Sequence, residues 1–206
     1  MKNPWLKISP SDYESHMIEV GQLQTLNELT KELLETYRPS SFALLGCCTG
    51  NGLEHVDPDV TTNVYAIDVN PGYLEICMER YASQIPGLEV IESDIDKEGL
   101  SIPKVDLCFA GLVLEYVKHC EAINNILPVI EEGGTLAIVF QKNREDAFVS
   151  KTAYKSLEQL SGISNEINEN KLGKWMESSG MTLQSRREVK LANSKSFISL
   201  AYTMSR

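Results

Sequence analysis

Residues 43–52 read Ala43-Leu-Leu-Gly-Cys-Cys-Thr-Gly-Asn-Gly52. The apolar residues 42–45 form a short buried strand. Glycines at 46, 50 and 52 then turn the chain sharply, and the spacing predicts a helix starting over 50–56. Glycine allows the backbone to turn where other residues clash, and lets a ligand approach the main chain without meeting a β-carbon. A strand that runs through such a turn into a helix is the setting in which a nucleotide-type ligand meets free backbone N–H groups. Asp68 follows at the end of the next strand, where a carboxylate can accept hydrogen bonds from both ribose hydroxyls.

Outward from this turn the chain alternates. Strands are expected over 64–67, 88–91, 105–110 and 135–140. Pro71 opens a helix that carries Leu74, Cys77, Met78 and Tyr81 on one face, since proline suits a first helical turn. Strands this apolar are covered on both faces, as in a parallel sheet, and alternation with helices argues α/β architecture. The last quarter differs. A helix over 170–178 ends at Gly180, and strands over 181–191 and 195–204 are joined by Ala192-Asn-Ser194, which favours an antiparallel hairpin. Ahead of the alternation, Val20, Leu23, Leu26, Leu29, Leu33 and Leu34 recur at helical spacing. That helix stops near Pro39, and residues 8–17 before it look less regular. Residues 1–38 thus read as a helical extension or lid, and 39–206 as the ligand-binding domain, within a single domain overall.

Nineteen Lys and Arg stand against 29 Asp and Glu, a net charge of −10. Nucleic acid would be repelled by this field. No apolar run approaches the roughly 20 residues that span a bilayer, so no membrane partner is expected. The N-terminus shows no apolar signal core, and cytoplasm is the default compartment. Five cysteines without a C-x-x-C pair argue against a disulfide framework or a metal site. Cys77 and Cys108 read as buried hydrophobes. The vicinal pair Cys47-Cys48 reads as packing within the turn, with a redox role as the alternative.

The glycine spacing fits the dinucleotide pattern G-x-G-x-x-G poorly, because Cys48 takes the middle place and Leu53 the last. The G-x-x-x-G-x-G arrangement instead resembles the first motif of class I, Rossmann-like S-adenosylmethionine (SAM)-dependent methyltransferases, with Cys48 where many members have glycine. Ala66-Ile-Asp-Val-Asn-Pro71, Glu92-Ser-Asp-Ile95, Asp106–Val117 (which resembles "VLEHV" at its end) and Glu131-Glu-Gly-Gly-Thr-Leu-Ala-Ile138 resemble later motifs in the family's order. The resemblance implies a three-layer sandwich with seven strands in the order 3-2-1-4-5-7-6, the last antiparallel. It implies SAM as cofactor, held by Gly46, Cys47, Cys48, Gly50, Asn51, Asp68, Val69, Asp94, Ile95 and Gly111. Asp68 would take the ribose, Asp94 the adenine amino group, and Ile95 the ring face.

In that family the acceptor pocket forms from the ends of the fourth and fifth strands and the N-terminal extension. Here those places hold Tyr13 and His16 as candidate catalytic groups, and Leu112, Tyr116 and Gln141 as acceptor contacts. His16 is the best candidate base, its ordinary pKa lying near ~6.5; capping a helix or facing water is its alternative. Tyr116 also reads as core, Glu115 as structural, and His55 and His119 as helix-surface residues. The N/D-P-P-Y signature of nucleobase amino methylation is replaced by Phe109-Ala-Gly-Leu112. The expected partner is therefore a small-molecule acceptor, with a homodimer left open. The competing functions are a SAM-binding protein without turnover and, further off, an NAD(P)-dependent oxidoreductase, whose sheet would be all-parallel.

Overall fold

The computed structural model describes residues 3–143, 148–191 and 195–205. Seven strands form one sheet: β1 Ser41–Leu45, β2 Asn63–Asp68, β3 Leu88–Glu92, β4 Val105–Gly111, β5 Ile130–Lys142, β6 Met181–Lys190 and β7 Ser196–Met204. Their order is β3-β2-β1-β4-β5-β7-β6. Phe42 lies opposite both Val64 and Leu107 in parallel pairing, whereas β7 runs antiparallel to β5 and β6. The expected order and the single reversed strand are both found. The expected 192–194 connection lies outside the described residues.

Side chains alternate across the strands and so divide the core. Phe42, Leu44, Val64, Leu107 and Phe109 point to one face. There they meet α1 (Pro10–Glu19), α2 (Gln22–Tyr37) and α3 (Pro71–Tyr81). Ala43, Leu45, Ile67, Cys108 and Ile138 point the other way, against α4 (His119–Ile126) and α5 (Glu169–Ser178). These are the three expected layers. Cys77 and Cys108 are fully buried, as their apolar settings suggested.

Three local expectations are corrected. Residues 8–17 are not irregular: Pro10–Glu19 is a regular helix, begun by Ser9, whose hydroxyl accepts the Asp12 N–H. The cap and the proline at the first turn start it despite its sparse apolar spacing. Its buried Tyr13 and Met17 belong to the main core, so the N-terminal segment is built into the domain. Second, the following helix does not begin at Val20. Gly21, at φ 72°, breaks the chain, and α2 starts at Gln22. Third, no α-helix follows the glycine turn. Gly50 and Gly52 are both left-handed, at φ 88° and 95°, which leaves a single 3₁₀ turn over Leu53–His55. The last glycine pair of the motif set, Gly133-Gly134, lies within β5, near the register shift opposite 105–107.

Gly50 is needed for packing against the protein itself. A β-carbon there would stand 2.7 Å from Tyr81 Cε2 and 2.9 Å from Cys77 Sγ, both on α3. Adding left-handed strain to overpacking, Gly50→Ala should destabilise the chain by about 2–4 kcal/mol. Urea unfolding of the two proteins checks this; an unchanged midpoint would show that the turn can rearrange.

Candidate active site

The C-terminal ends of the central strands open into one cleft. This is where an α/β sheet of open type places its ligands. One half lies over β1, β2 and β3. Without a helix after β1, the glycine loop closes through side chains and single backbone groups. The Cys48 N–H donates to Asp68 Oδ2 at 2.9 Å, and the Asn70 N–H donates to Oδ1 at 2.8 Å. Burial raises the Asp68 pKa, and the N–H groups of Asn70, Cys48 and Val69 work against that rise. Each carboxylate oxygen retains capacity for a further donor. Cys48 itself sits at φ 47°, a conformation that disfavours non-glycine residues. Asp94 is more open: Oδ1 accepts the Asp96 N–H at 3.2 Å and Oδ2 pairs with Lys97.

The other half is walled by the N-terminal segment and by residues after β4 and β5. Trp5 packs edge-on against Tyr116 at 5.0 Å and near Tyr13 at 6.1 Å. The Trp5 carbonyl accepts from Asn70 Nδ2 at 2.9 Å, which ties this wall to the end of β2. Glu14 binds Arg80 of α3 and accepts from Thr49 Oγ1 in the glycine loop. His16 Nδ1 pairs with Thr152 Oγ1 at 2.8 Å. Desolvation first, and the Lys195 charge second, lower the His16 pKa, so the imidazole is neutral at neutral pH. Burial pushes the Tyr13 phenol well above its ordinary value, and it stays protonated. At the end of β5, Gln141 accepts from Gln22 Nε2 of α2 and donates to the Phe148 carbonyl at 2.8 Å.

Of the residues assigned from sequence, Gly46, Cys48, Asp68, Val69, Asp94, Ile95 and Gly111 line the cleft, as do Tyr13, His16, Leu112, Tyr116 and Gln141. Cys47, Gly50 and Asn51 stand off its wall. Cys47 faces inward, its thiol directed to the Cys48 carbonyl at 3.6 Å. Asn51 Nδ2 donates to the Leu23 carbonyl, pinning the loop to α2. Both thiols of the vicinal pair are buried and free, with pKa values pushed well up, so neither is a reactive thiolate. Among the described residues no cluster suited to a metal ion occurs. Sequence reading missed Trp5, Gln22 and Phe148, which reach the cleft only through the tertiary fold. It also left Glu115 as structural. That side chain is fully buried, yet it borders the cleft.

A sheet of this order with a Gly46–Gly52 loop over β1 and an acid ending β2 defines the class I, Rossmann-like fold of methyltransferases. Residues 44–138 match the family described as the methyltransferase domain. The resemblance read from the motifs is borne out by that match and by the strand order. No curated protein matches the sequence. Among solved structures, the chain is similar to magnesium protoporphyrin IX methyltransferase (ChlM) from Synechocystis PCC 6803 with bound S-adenosylhomocysteine (SAH). The TM-score is 0.69 and the identity 14%, over 95% of this chain and 94% of that one. It is also similar to the N-methyltransferase NodS from Bradyrhizobium japonicum WM9, in complex with SAH. There the TM-score is 0.62 and the identity 18%, over 100% and 94% of the two chains. The [4+2]-cyclase SpnF shares the fold at TM-score 0.68 and 16% identity, over 88% and 82%.

Glu115 yields a pH-dependent stability. Burial lifts its pKa from 4.5 to about 7, against the opposing Gln141 N–H. The folded chain therefore holds this proton more tightly than the unfolded one. The resulting stability is fully present below the unfolded value and is lost as pH rises through about 7, a swing of roughly 3 kcal/mol. Glu115→Gln should remove this component. Urea midpoints at about pH 5 and about pH 8 should therefore converge more in the variant than in the wild type; an identical pH response in both would rule it out.

Proposed function

We propose that the chain is a SAM-dependent methyltransferase that acts on a small-molecule acceptor. One observation carries the reading: a single cleft joins the Gly46–Asp68–Asp94 edge of the sheet to an aromatic chamber closed by the N-terminal segment. The methyltransferase domain over 44–138 supports SAM as the donor. So do the similar ChlM and NodS structures, which are described with bound SAH.

The residues fit the group. Asp68, held by two backbone N–H groups, presents its remaining lone pairs to the ribose hydroxyls. Ile95 and Val69 offer apolar contact beside the adenine, and Asp94 accepts from its amino group. Bound SAM supplies an electrophilic methyl group to the chamber. Trp5, Tyr13 and Met17 exclude water and hold the acceptor, because methyl transfer depends chiefly on alignment. His16, neutral and fixed by Thr152, is a base for an acceptor that must lose a proton. Gly46, Cys48 and Gly111 serve as further cofactor contacts, Leu112, Tyr116 and Gln141 as acceptor contacts, and the N-terminal segment as the lid.

The second reading is a chain that holds SAM without passing on the methyl group. The strained Cys48 in the glycine loop favours it, and the fold also serves the [4+2]-cyclase SpnF. Transfer of labelled methyl from SAM to a pooled metabolite extract separates the two readings: label in a small molecule supports the first, label retained on SAM the second.

Asp68→Asn should weaken SAH binding by roughly 10–100-fold, since one charge-assisted acceptor is lost. Calorimetry on a variant whose thermal unfolding is checked tests this, and an unchanged affinity would remove Asp68 from the site. His16→Ala should erase the acidic limb of the rate profile, which lies below the ordinary histidine range because the His16 pKa is lowered. A slower rate with the limb intact would assign His16 to positioning alone.

A further inference from the structure

Among the described residues, two buried side-chain polar atoms lack a hydrogen-bond partner: Tyr73 Oη and Glu115 Oε2. Of these two residues only Glu115 borders the cleft. Its other oxygen is fixed, accepting the Gln141 N–H at 2.8 Å. A buried carboxyl with one oxygen unmatched is rare enough in native structures to call for a ligand or a catalytic role. Trp5, Tyr116 and Phe148 line the same cleft. Tyr116 meets the other two rings edge-on, at 5.0 and 5.9 Å. Such rings accommodate an apolar skeleton and attract a cation.

Building on the methyl-transfer reading, we propose that the acceptor is a small amine on an apolar, ring-bearing skeleton, and that Glu115 Oε2 takes the proton its ammonium form must lose. The carboxyl itself accepts only the Gln141 N–H from β5, Tyr116 follows it in the same turn, and Asn165 donates its backbone N–H to the Glu115 backbone carbonyl, which holds the turn in place. Tyr116 stays a neutral phenol, its pKa raised by burial first and by the Glu115 charge second. Further ionisable groups nearby are Tyr13 and His16 from α1, Cys48 of the glycine loop, which acts on Tyr116, and Lys195, just ahead of β7. Lys195 donates to the Phe148 carbonyl and to Ser150 Oγ, and its charge acts on His16. Burial places the Glu115 pKa near neutrality, where an acid or base exchanges protons most readily.

The step balances. An ammonium nitrogen has no free electron pair. One of its protons passes to Glu115 Oε2, giving a neutral amine and a carboxylic acid. The nitrogen pair then forms the C–N bond to the methyl carbon as the C–S bond breaks, and the C–S pair remains on sulfur. The products are a methylated ammonium ion and a neutral thioether, and Glu115 returns its proton to water when they leave.

The test uses the full chain. SAH is titrated first by calorimetry. The SAH-saturated protein is then titrated with benzylamine, benzyl alcohol and benzoate. Benzylamine should bind at least about tenfold more tightly than either of the others. Between about pH 6 and about pH 8 its affinity should rise roughly tenfold as Glu115 ionises, while that of the alcohol stays flat. Glu115→Gln should abolish this rise and weaken the amine about tenfold, with the alcohol little changed. If the variant does not fold, the wild-type pH series alone decides. Failure of SAH to bind overturns the methyl-transfer reading and this proposal with it. Normal SAH binding, combined with a preference for alcohol or benzoate, with binding of none of the three, or with a flat amine pH series, overturns the amine assignment alone.

Discussion

The Asp68 carboxylate is the joint from which the cleft is built. Burying it is costly, and backbone N–H groups around it, two of them in direct hydrogen bonds, offset that cost. One donor, the Cys48 N–H, belongs to the glycine loop; the other, that of Asn70, belongs to the turn into α3. Asn70 then extends the connection in two directions. Its Oδ1 accepts the Gly72 N–H and caps α3, and its Nδ2 holds the Trp5 carbonyl. One run of hydrogen bonds thus links loop, strand end, helix start and N-terminal segment. Because the loop has no α-helix behind it, these individual contacts replace the aligned N–H groups that a helix terminus would have offered.

A second polar joint stands at the end of β5. The Gln141 side chain joins α2 through Gln22 and the segment after β5 through Phe148, and its backbone N–H meets Glu115. The two joints sit on either side of β1 and β4 and hold the two halves of the cleft. Residues from α1 cross between them: Glu14 reaches the glycine loop and Arg80, while His16 reaches Thr152. This half of the cleft therefore exists only when segments distant in sequence have packed together.

This explains which parts were legible in the sequence. The sheet was, because short, nearly continuous apolar runs such as 42–45 and 105–110 announce buried strands, and because Pro71 and Gly180 punctuate helices. The β1–β2 edge of the cleft was readable too, since the loop and Asp68 lie within a short local stretch with fixed spacing. Cys47, Gly50 and Asn51 lie in the same stretch but off the cleft wall, because a spacing pattern does not say which side of a loop faces inward. The helix expected over 50–56 failed for a physical reason, since two left-handed glycines flank Asn51. The helix over Pro10–Glu19 was missed because its signal lay in the Ser9 cap rather than in apolar spacing. Trp5, Gln22 and Phe148 carried no local signal, reaching the cleft only by tertiary position.

Cys48 brings these strands of the argument together. In sequence it looked like a weakened cofactor motif, a side chain where glycine is usual. In the structure its left-handed backbone costs about 1–2 kcal/mol. Its side chain is nonetheless buried and interacts with the Tyr13 hydroxyl of α1. A glycine would release the strain and lose that contact. The thiol stays neutral, raised by burial and by the Asp68 charge, so it adds no negative charge beside the carboxylate. The departure from the motif is thus a packing contact between the glycine loop and the N-terminal helix α1, at the point where the two halves of the cleft meet.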